Sequence, residues 1–289
     1  MQTFETPGPI SVNVELAVGH LRIVAGTRTD TVVDVRPTNP ARSSDVRAAE
    51  QTRVDFAGGR LSIRAPKGWR LLPPFGGGES IDVTIELPAG SNVRAAAAVA
   101  TFECTGRLGE CDLRTSAGDV RVAETGAVQV KTSTGDISIE HACGDADLVT
   151  SSGAVRLDRV DGAVVVKNSN GDTWIGEVGG TLRVNAANGK IAVDHARAGV
   201  TAKTANGDVR LGDVASGAVV ALTARGKVDI GVRDGVAAWL DLSTSFGKVH
   251  SDLDAAHGPQ AGEGAVEIRA RTAFGDITIR RAPAVSARS

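Results

Sequence analysis

The sequence predicts an all-β fold, a parallel β-solenoid of ~18-residue, two-strand coils with an N-terminal β cap. Glycines recur at steps of 17, 18, 18, 18, 18 and 19 residues, and a fixed period of this kind is typical of solenoids. A second glycine series lies midway, and Val, Ile and Thr, which favour strands, dominate the segments between. The first series is Gly118, Gly135, Gly153, Gly171, Gly189, Gly207 and Gly226. The second is Gly126, Gly144, Gly162, Gly180, Gly199 and Gly217.

Residues 1–92 are predicted to form the N-terminal β cap, continuous with the solenoid. Apolar residues alternate with polar or small ones over residues 10–18 and 31–36, which is the period of a half-buried strand. Residues 41–51 are either a short helix, with Ser43 or Ser44 as its N-cap, or a loop. Residues 54–63 predict a hairpin around a glycine turn.

Residues 65–78 are predicted to form a long irregular loop that carries four large apolar side chains. Long loops in compact proteins are often functional. These side chains either fold over the open end of the solenoid as a cap or form an exposed contact for a partner. They are Trp69, Leu71, Leu72 and Phe75.

Residues of equal phase should form ladders, because the coils stack at about 4.8 Å. Those two and four places after each first-series glycine, such as Val120 and Val122, should point inward. A threonine three places before most of these glycines could bond the next coil's backbone or its own turn. The residue directly after the glycine alternates in charge from Asp172 onward, which predicts a balanced ladder of opposite charges. That column is Asp119, Asp136, Ala154, Asp172, Lys190, Asp208 and Lys227.

The spacing of the repeat becomes irregular after Gly226, so the last coils are expected to be covered differently from the others. Phe246 and Phe274 share a phase at which earlier coils carry Ala, Thr, Ser, Asn or Arg. Residues 254–264 are predicted to form a loop. The solenoid repeats are assigned to residues 93–281, and residues 282–289 are predicted to be a disordered tail.

Charge and composition argue against several classes of partner. The 32 basic and 34 acidic residues are interspersed, which argues against a nucleic-acid footprint and a polybasic membrane-binding segment. Neither a signal peptide nor a run of ~20 apolar residues that could cross a bilayer is recognisable. The sequence therefore predicts no nucleic-acid partner, no direct membrane insertion, and a cytoplasmic location or envelope association through a partner.

No catalytic, cofactor-binding or metal-binding residue is predicted. Cys104, Cys111 and Cys143 fit no zinc spacing and are expected to be reduced thiols, with a Cys104–Cys111 bridge open under oxidation. His141 and His195 share a phase but stand three coils apart, roughly 14 Å, which is too far for one metal. Both are expected to be solvated turn residues.

Two further ligand classes are weighed against the repeat. Each Gly-Asp turn has at most one Asp, too few oxygen ligands for calcium. A carbohydrate-cleaving site would need clustered carboxylates, and the outward positions hold no paired acids. Trp174 is an aromatic residue at an outward position. It could stack on a sugar or be partly covered by a neighbouring coil.

The repeated Thr-x-x-Gly-Asp-Val-x-Val phrase, which closes as Thr-Ala-Phe-Gly-Asp-Ile at residues 272–277, resembles the DUF4097 family of bacterial β-strand-repeat proteins, labelled adhesins. Residues 4–9, 19–23 and 85–90 are also similar. The resemblance covers nearly the whole chain, and the Ala, Arg and Gly content suits an actinobacterial member. The family implies no catalytic residues. Many members carry an export signal or membrane anchor, and this sequence shows neither.

The predicted function is a non-enzymatic, adhesin-like binding or scaffold protein that presents its solenoid surface to a protein or cell-envelope partner. One alternative is a structural protein that self-assembles through the strand edges at its ends. A second alternative is a carbohydrate-active β-helix enzyme. The repeat specifies the fold, so binding is expected where the repeat is broken: residues 65–78, residues 254–264 and the two ends.

Overall fold

A computed structural model of the chain describes residues 1–66, 79–253 and 265–283. Apart from one short helix, the regular elements of these residues are strands, and most pair in parallel. The fold is therefore the all-β parallel solenoid that the sequence predicts. The apolar loop residues Trp69, Leu71, Leu72 and Phe75, the loop 254–264 and the tail from residue 284 lie outside the described residues.

Residues 1–143 and 148–150 form one compact unit, and residues 144–147 with those from 151 form a second. The assignment of residues 1–92 as a cap and 93–281 as solenoid stays a prediction. The elements up to residue 142 are β1 (Gln2–Glu5), β2 (Ser11–Gly26), β3 (Asp30–Pro37), α1 (Ser43–Gln51), β4 (Arg53–Ala57), β5 (Arg60–Arg64), β6 (Ser80–Pro88), β7 (Asn92–Arg107), β8 (Cys111–Ala117), β9 (Val120–Thr125), β10 (Val128–Lys131) and β11 (Ile137–Ala142).

The first unit is built around the long strand β2. This strand pairs in parallel with β7 along one edge and with β5 and then β6 along the other. Beyond these strands the pairing becomes antiparallel: β3 on β6, β1 on β3, and β4 on β5. The hairpin predicted for residues 54–63 is confirmed, and its turn residues Gly58 and Gly59 have φ of +55° and +73°. Glycine suits both positions because the favoured two-residue hairpin turn needs positive φ at each.

The segment 41–51, predicted as a helix or a loop, is the helix α1. Its N-cap is Arg42, whose carbonyl accepts the backbone N–H of Asp45 and of Val46. The prediction of Ser43 or Ser44 as N-cap is therefore wrong, because the helical hydrogen bonds begin at Arg42. The Ser44 hydroxyl donates to the Asp45 carboxylate instead.

From residue 146 onward the described residues form strands that alternate between two columns. In one column β14, β16, β18 and β20 pair in parallel, and in the other β15, β17, β19 and β21 do so. Partners such as Ile175 and Val193 stand 18 residues apart, one repeat. The strands are β12 (Ala146–Ser152), β13 (Val155–Val160), β14 (Val164–Asn170), β15 (Thr173–Val178), β16 (Leu182–Asn188), β17 (Ile191–Ala196), β18 (Val200–Asn206), β19 (Val209–Val214), β20 (Gly217–Arg225), β21 (Val228–Val232), β22 (Ala237–Phe246), β23 (Val249–Ser251), β24 (Ala265–Phe274) and β25 (Ile277–Arg281).

The core consists of the inward pairs that the sequence predicts. The residues two and four places after each first-series glycine are buried in every coil. At the turn itself, Gly189 has φ of +137°, and a Cβ there would lie 2.1 Å from the Gly171 carbonyl oxygen of the preceding coil. Glycine is thus required both for the backbone conformation and for the close approach of two coils.

In the column of residues directly after the turn glycines, the aspartate carboxylates accept hydrogen bonds from backbone N–H groups. The Oδ1 atom of Asp172 accepts the backbone N–H of Lys190 at 2.8 Å. The same contact joins Asp208 to Lys227 at 2.8 Å. The carboxylate therefore caps the turn of the next coil, and the contact is made by the lysine's backbone rather than by its ammonium group.

The last two coils do not stack in chain order. Strand β24 pairs in parallel with β20 on one side and with β22 on the other. Likewise β25 pairs with β21 and with β23. The coil 265–281 therefore lies between the coil 217–232 and the coil 237–251, so the coil 237–251 ends the stack of the second unit.

Candidate functional site

The coil formed by β22 and β23, here called the terminal coil, leaves apolar side chains uncovered. Leu240 is 38% exposed and Val249 is 45% exposed, whereas their register partners Ile268 and Ile277 are fully buried. The reason is that β22 pairs with β24 along one edge, and no ladder covers its other edge within the described residues. The terminal coil thus presents both core-type side chains and a strand edge.

Two stacked phenylalanines stand where β22 of the terminal coil and β24 of the adjacent coil end. The Phe246 and Phe274 rings lie 4.9 Å apart between centroids and are nearly parallel, at 5°. Aromatic pairs with centroids at about this separation attract each other beyond the burial of their area. Phe246 is the outer ring of the pair and is 68% exposed. The outer side of this aromatic pair is therefore accessible to another molecule.

We call the exposed apolar residues around the terminal coil the terminal-coil patch. An ion-pair group borders the patch, because Asp241 contacts Arg269 at 3.0 Å and Arg271 at 3.4 Å. The patch surrounds the terminal coil and is not a single face, because the neighbouring residues Trp239 and Leu240 point to opposite faces of β22. Exposed apolar side chains grouped in this way are typical of protein interaction sites. The patch consists of Trp239, Leu240, Phe246, Val249 and Phe274.

The threonine column is structural rather than part of a site. The Thr223 hydroxyl donates to the Gly207 carbonyl of the neighbouring coil at 2.9 Å, and Thr272 donates to Gly226 at 3.0 Å. Thr115 donates to Ala117 of its own turn at 2.9 Å. Both contacts predicted from the sequence therefore occur, and those to the neighbouring coil join successive coils.

An asparagine ladder, which the sequence analysis did not identify, runs along the surface one place before the turn glycine. Asn188 Nδ2 donates to Asn170 Oδ1 at 2.8 Å, and Asn206 Nδ2 donates to Asn188 Oδ1 at 2.8 Å. In register, this column continues through Arg225 to Phe274 and Phe246. The recurrence of Asn before Gly at the repeat spacing is the signal that could have revealed it.

A mixed cluster of Glu124, His141 and Cys143 lies on the surface of the first unit. Glu124 on β9 is the register partner of His141 on β11, and Cys143 follows the end of β11. The Cys143 sulfur lies 3.9 Å from Glu124 Oε1 and 4.0 Å from each ring nitrogen of His141. These donor atoms lie close enough to share a metal ion. Sequence reasoning could have found the cluster, because Glu124 precedes His141 by 17 residues, one coil.

His141 and His195 are strand residues, so their prediction as turn residues is wrong. Both strands continue one residue beyond the histidine, to Ala142 and Ala196. His195 Nδ1 lies 3.4 Å from Oδ2 of the buried Asp213. Asp213 also accepts from the guanidinium of Arg233, and this hydrogen bond is the largest cause that raises the pKa of Arg233.

The cysteines are free thiols in this structure, two buried and one exposed. Burial raises the pKa of Cys111 to about 11 and raises the pKa of Cys104 further still. Buried thiols of this kind are poor nucleophiles because the thiolate is the reactive form. Cys143 is the exposed thiol.

Trp174 offers less room for a sugar than its outward position suggests. The Arg156 guanidinium carbon lies 4.1 Å from the centre of the indole ring, a cation–π contact made by the preceding coil. One face of the ring is therefore covered, as the second of the two interpretations of Trp174 expects.

An open cleft of about 400 Å³ lies in the first unit. Three of its polar groups bond one another: Thr38 Oγ1 donates to Asp82 Oδ1 at 2.8 Å and lies 2.9 Å from Ser80 Oγ. Because these groups already have partners within the protein, the cleft is a weaker candidate for a binding site than the terminal-coil patch.

The fold is that of a β-strand-repeat protein of the β-solenoid class, because it has two-strand coils, a glycine turn repeated at the coil spacing and an exposed terminal coil. The chain belongs to the Toastrack DUF4097 family, whose model matches residues 21–280. The family resemblance predicted from the repeated phrase is thus confirmed. A comparison with curated proteins finds no match.

Three solved structures are similar to the chain over most of its length. A putative adhesin from Bacteroides fragilis is 13% identical, with a TM-score of 0.37, and the match covers 97% of this chain and 95% of that one. A putative cell adhesion protein from Clostridium sporogenes is 11% identical, with a TM-score of 0.23 and coverage of 97% and 98%. A putative lipid binding protein from Parabacteroides distasonis is 9% identical, with a TM-score of 0.26 and coverage of 98% and 96%. Scores this low support no inference about this chain.

A search of the described residues for membrane-crossing helices finds none of the length and apolar character required.

Proposed function

We propose that this chain is a non-enzymatic, adhesin-like binding protein, a β-solenoid scaffold that docks a protein partner on its terminal coil. The observation that carries this proposal is the terminal-coil patch, in which apolar side chains and an uncovered strand edge occur together. The partner is a protein, either free or part of the cell envelope. We also propose that the chain is located in the cytoplasm, or at the cell envelope through its contact with that partner.

The patch suits a partner that adds a β-strand along β22. Strand addition uses the backbone groups of an exposed edge for affinity and side-chain pockets for specificity. The aromatic pair supports this mode, because an incoming apolar or aromatic side chain could continue the stack at Phe246. Lys248 follows at the same turn, so an acidic residue in the added strand would continue the Asp–Lys alternation of that column.

A second copy of the chain is the alternative occupant, and the free edge of β22 is what favours it. At the margin of the first unit β3 pairs antiparallel with β6 and β1 pairs antiparallel with β3, and this pairing does not continue the parallel pattern of the terminal coil. Head-to-tail stacking is therefore less favourable than a two-fold contact between two terminal coils. This self-assembling form is kept as the second candidate.

Site-specific photocrosslinking distinguishes these occupants. A photoreactive amino acid is placed at position 239 or 246 of the full chain and irradiated in cells. The matched control is position 99, because Val99 on β7 is also exposed, at 46%, but lies outside the patch. We expect a discrete cross-linked protein from positions 239 and 246 and none from position 99.

The cross-linked protein is then purified and titrated against the wild-type chain and the Phe246→Ser and Val99→Ser variants. We expect Phe246→Ser to weaken binding at least about tenfold, as loss of a central aromatic anchor does, and Val99→Ser to leave it unchanged. A product that contains two copies of this chain would favour the self-assembling alternative. Equal cross-linking from all three positions would refute the patch as the docking site.

A further inference from the structure

We propose that Glu124, His141 and Cys143 form a binding site for a divalent zinc ion on the first unit. The three residues offer a carboxylate oxygen, an imidazole nitrogen and a thiolate sulfur, whose donor atoms all lie within 4.8 Å of one another. Thiolate and imidazole together favour zinc over the hard cations, which prefer oxygen ligands.

The coil repeat brings these three side chains together. Glu124 and His141 face each other in adjacent parallel strands, because they stand one coil apart. Residues two apart in an extended chain point to the same side, so Cys143 lies on the same side as His141. A hydrogen bond from the Cys143 backbone N–H to the Thr125 carbonyl at 2.8 Å keeps the chain beside β9 as β11 ends.

The distances are close to those of a tetrahedral zinc site. Zn–S and Zn–N bonds of about 2.3 and 2.0 Å place the sulfur and nitrogen about 3.5 Å apart in tetrahedral geometry. The observed separations from the Cys143 sulfur are 3.9 Å to Glu124 Oε1 and 4.0 Å to His141. Because the sulfur is equally far from both ring nitrogens of His141, the imidazole would turn one nitrogen toward an ion while the other two side chains rotate to close the remaining distance.

The neighbouring cation is a weak competitor for the carboxylate. Arg107 Nε lies 3.8 Å from Glu124 Oε1, and the arginine side chain is largely exposed. An exposed ion pair of this kind is weak, so it competes poorly with a zinc–carboxylate bond within a three-ligand site. Three protein ligands also leave a fourth position for water or for an exogenous donor.

Metal titration of the tag-free, full-length protein in a non-chelating reductant tests the site. Cobalt(II) serves as the spectroscopic probe, because a cobalt–thiolate bond gives a near-ultraviolet charge-transfer band. Zinc affinity is measured by its competition with cobalt. We expect one ion per chain, loss of the band in Cys143→Ser, and a decrease in zinc affinity of at least about tenfold in His141→Gln and Glu124→Gln.

His195→Gln is the matched control, because His195 occupies the same phase of another coil but contacts Asp213 rather than a thiol. We expect it to bind like the wild type. Circular dichroism establishes that each variant is folded. Zinc should also protect Cys143 from alkylation by iodoacetamide in the wild type. A charge-transfer band that persists in Cys143→Ser, an equal loss of affinity in His195→Gln, or the absence of saturable one-to-one binding would overturn the proposal.

Discussion

At the residue scale, residues at the same phase of successive coils have similar side chains, and Thr173 is an exception in its column. It is 1% exposed and lies in register between Val155 and Ile191. Its hydroxyl has no hydrogen-bond partner among the described residues. A buried polar group without a partner costs about 1–3 kcal/mol, so this position destabilises the coil relative to its neighbours.

Thr173→Val should increase the free energy of unfolding by about 1 kcal/mol, because valine keeps the shape and removes the unpaired hydroxyl. Urea unfolding followed by circular dichroism measures the change. Thr223→Val is the matched control, since the Thr223 hydroxyl donates to the Gly207 carbonyl, and we expect it to decrease stability by about 1 kcal/mol. Changes of the same sign in both variants would contradict this interpretation of the unpaired hydroxyl.

Substitutions of Asp172 test whether the residues directly after the turn glycines stabilise the fold through backbone hydrogen bonds or through alternating charges. Because its Oδ1 accepts the Lys190 backbone N–H at 2.8 Å, Asp172→Lys should lower stability by a few tenths to about 1 kcal/mol. Asp172→Asn keeps an acceptor oxygen and should retain most of the stability. Chemical unfolding at low and high salt separates the causes, because a charge ladder is screened and the loss of a backbone cap persists. A destabilisation of both variants that disappears at high salt would favour the charge ladder instead.

At the element scale, neighbouring strands compensate for each other's irregularities. In β14, Asn168 Nδ2 donates to the carbonyls of Gly153 at 3.0 Å and Gly171 at 2.9 Å. The second bond replaces the one that a threonine at position 186 of β16 would make, because Ala186 has no hydroxyl. One long amide thus serves two coils, at the expense of its own buried Oδ1, which lacks a partner within the described part of the chain.

A double-mutant cycle tests this compensation. Asn168→Thr alone should lower the free energy of unfolding by about 1 kcal/mol, since the Gly171 carbonyl loses its donor. Adding Ala186→Thr should restore that donor, so we expect a coupling free energy of at least about 0.5 kcal/mol between the two positions. Thermal unfolding of the four proteins measures the coupling. Additive effects would show that Asn168 does not stand in for residue 186.

The strands and their buried pairs could be predicted because two short periods, two residues along a strand and 18 along the chain, are both visible in the sequence. The ends of the elements could not. The strand around His141 continues to Ala142 through its pairing with β9, a contact that no local pattern reveals. The cluster of Glu124, His141 and Cys143 was only partly predictable: the 17-residue step places Glu124 beside His141, but the place of Cys143 depends on where β11 ends.

At the scale of the whole molecule, the order of the coils decides which surface is exposed. A repeat carries no information about order, because coils of equal shape can exchange places in a stack. The charges of the residues directly after the turn glycines do carry information about the order of the coils. Chain order would put Lys227 beside Lys248, whereas the structure places Asp276 between them, with its Oδ1 accepting the Lys248 backbone N–H at 2.9 Å. The terminal-coil patch could not be predicted from the repeat, since it exists only because the coil 237–251 is last in space.

Excision of residues 237–264 tests this order directly. Ala237 and Ala265 are register partners on adjacent strands, about 5 Å apart, so Val236 can be joined to Ala265 with little rearrangement. The coil 265–281 would keep its contacts with the coil 217–232, including Asp276 beside Lys227. We therefore expect a folded protein with a cooperative thermal transition.

Truncation after residue 264 is the contrasting variant. It removes β24 and β25, the partners of the terminal coil, and leaves the coil 237–251 only the position beside Lys227, where Lys248 would bring a second positive charge without the carboxylate of Asp276. Differential scanning calorimetry should show the truncated protein melting at least about 3 °C below the excised one, which corresponds to ~1 kcal/mol for a domain of this size. If the coils stacked in chain order, residues 265–281 would form the outermost coil and could be removed with the least loss of stability. A truncated protein that melts at or above the melting temperature of the excised protein would therefore indicate chain order, with the exposed surface on β24.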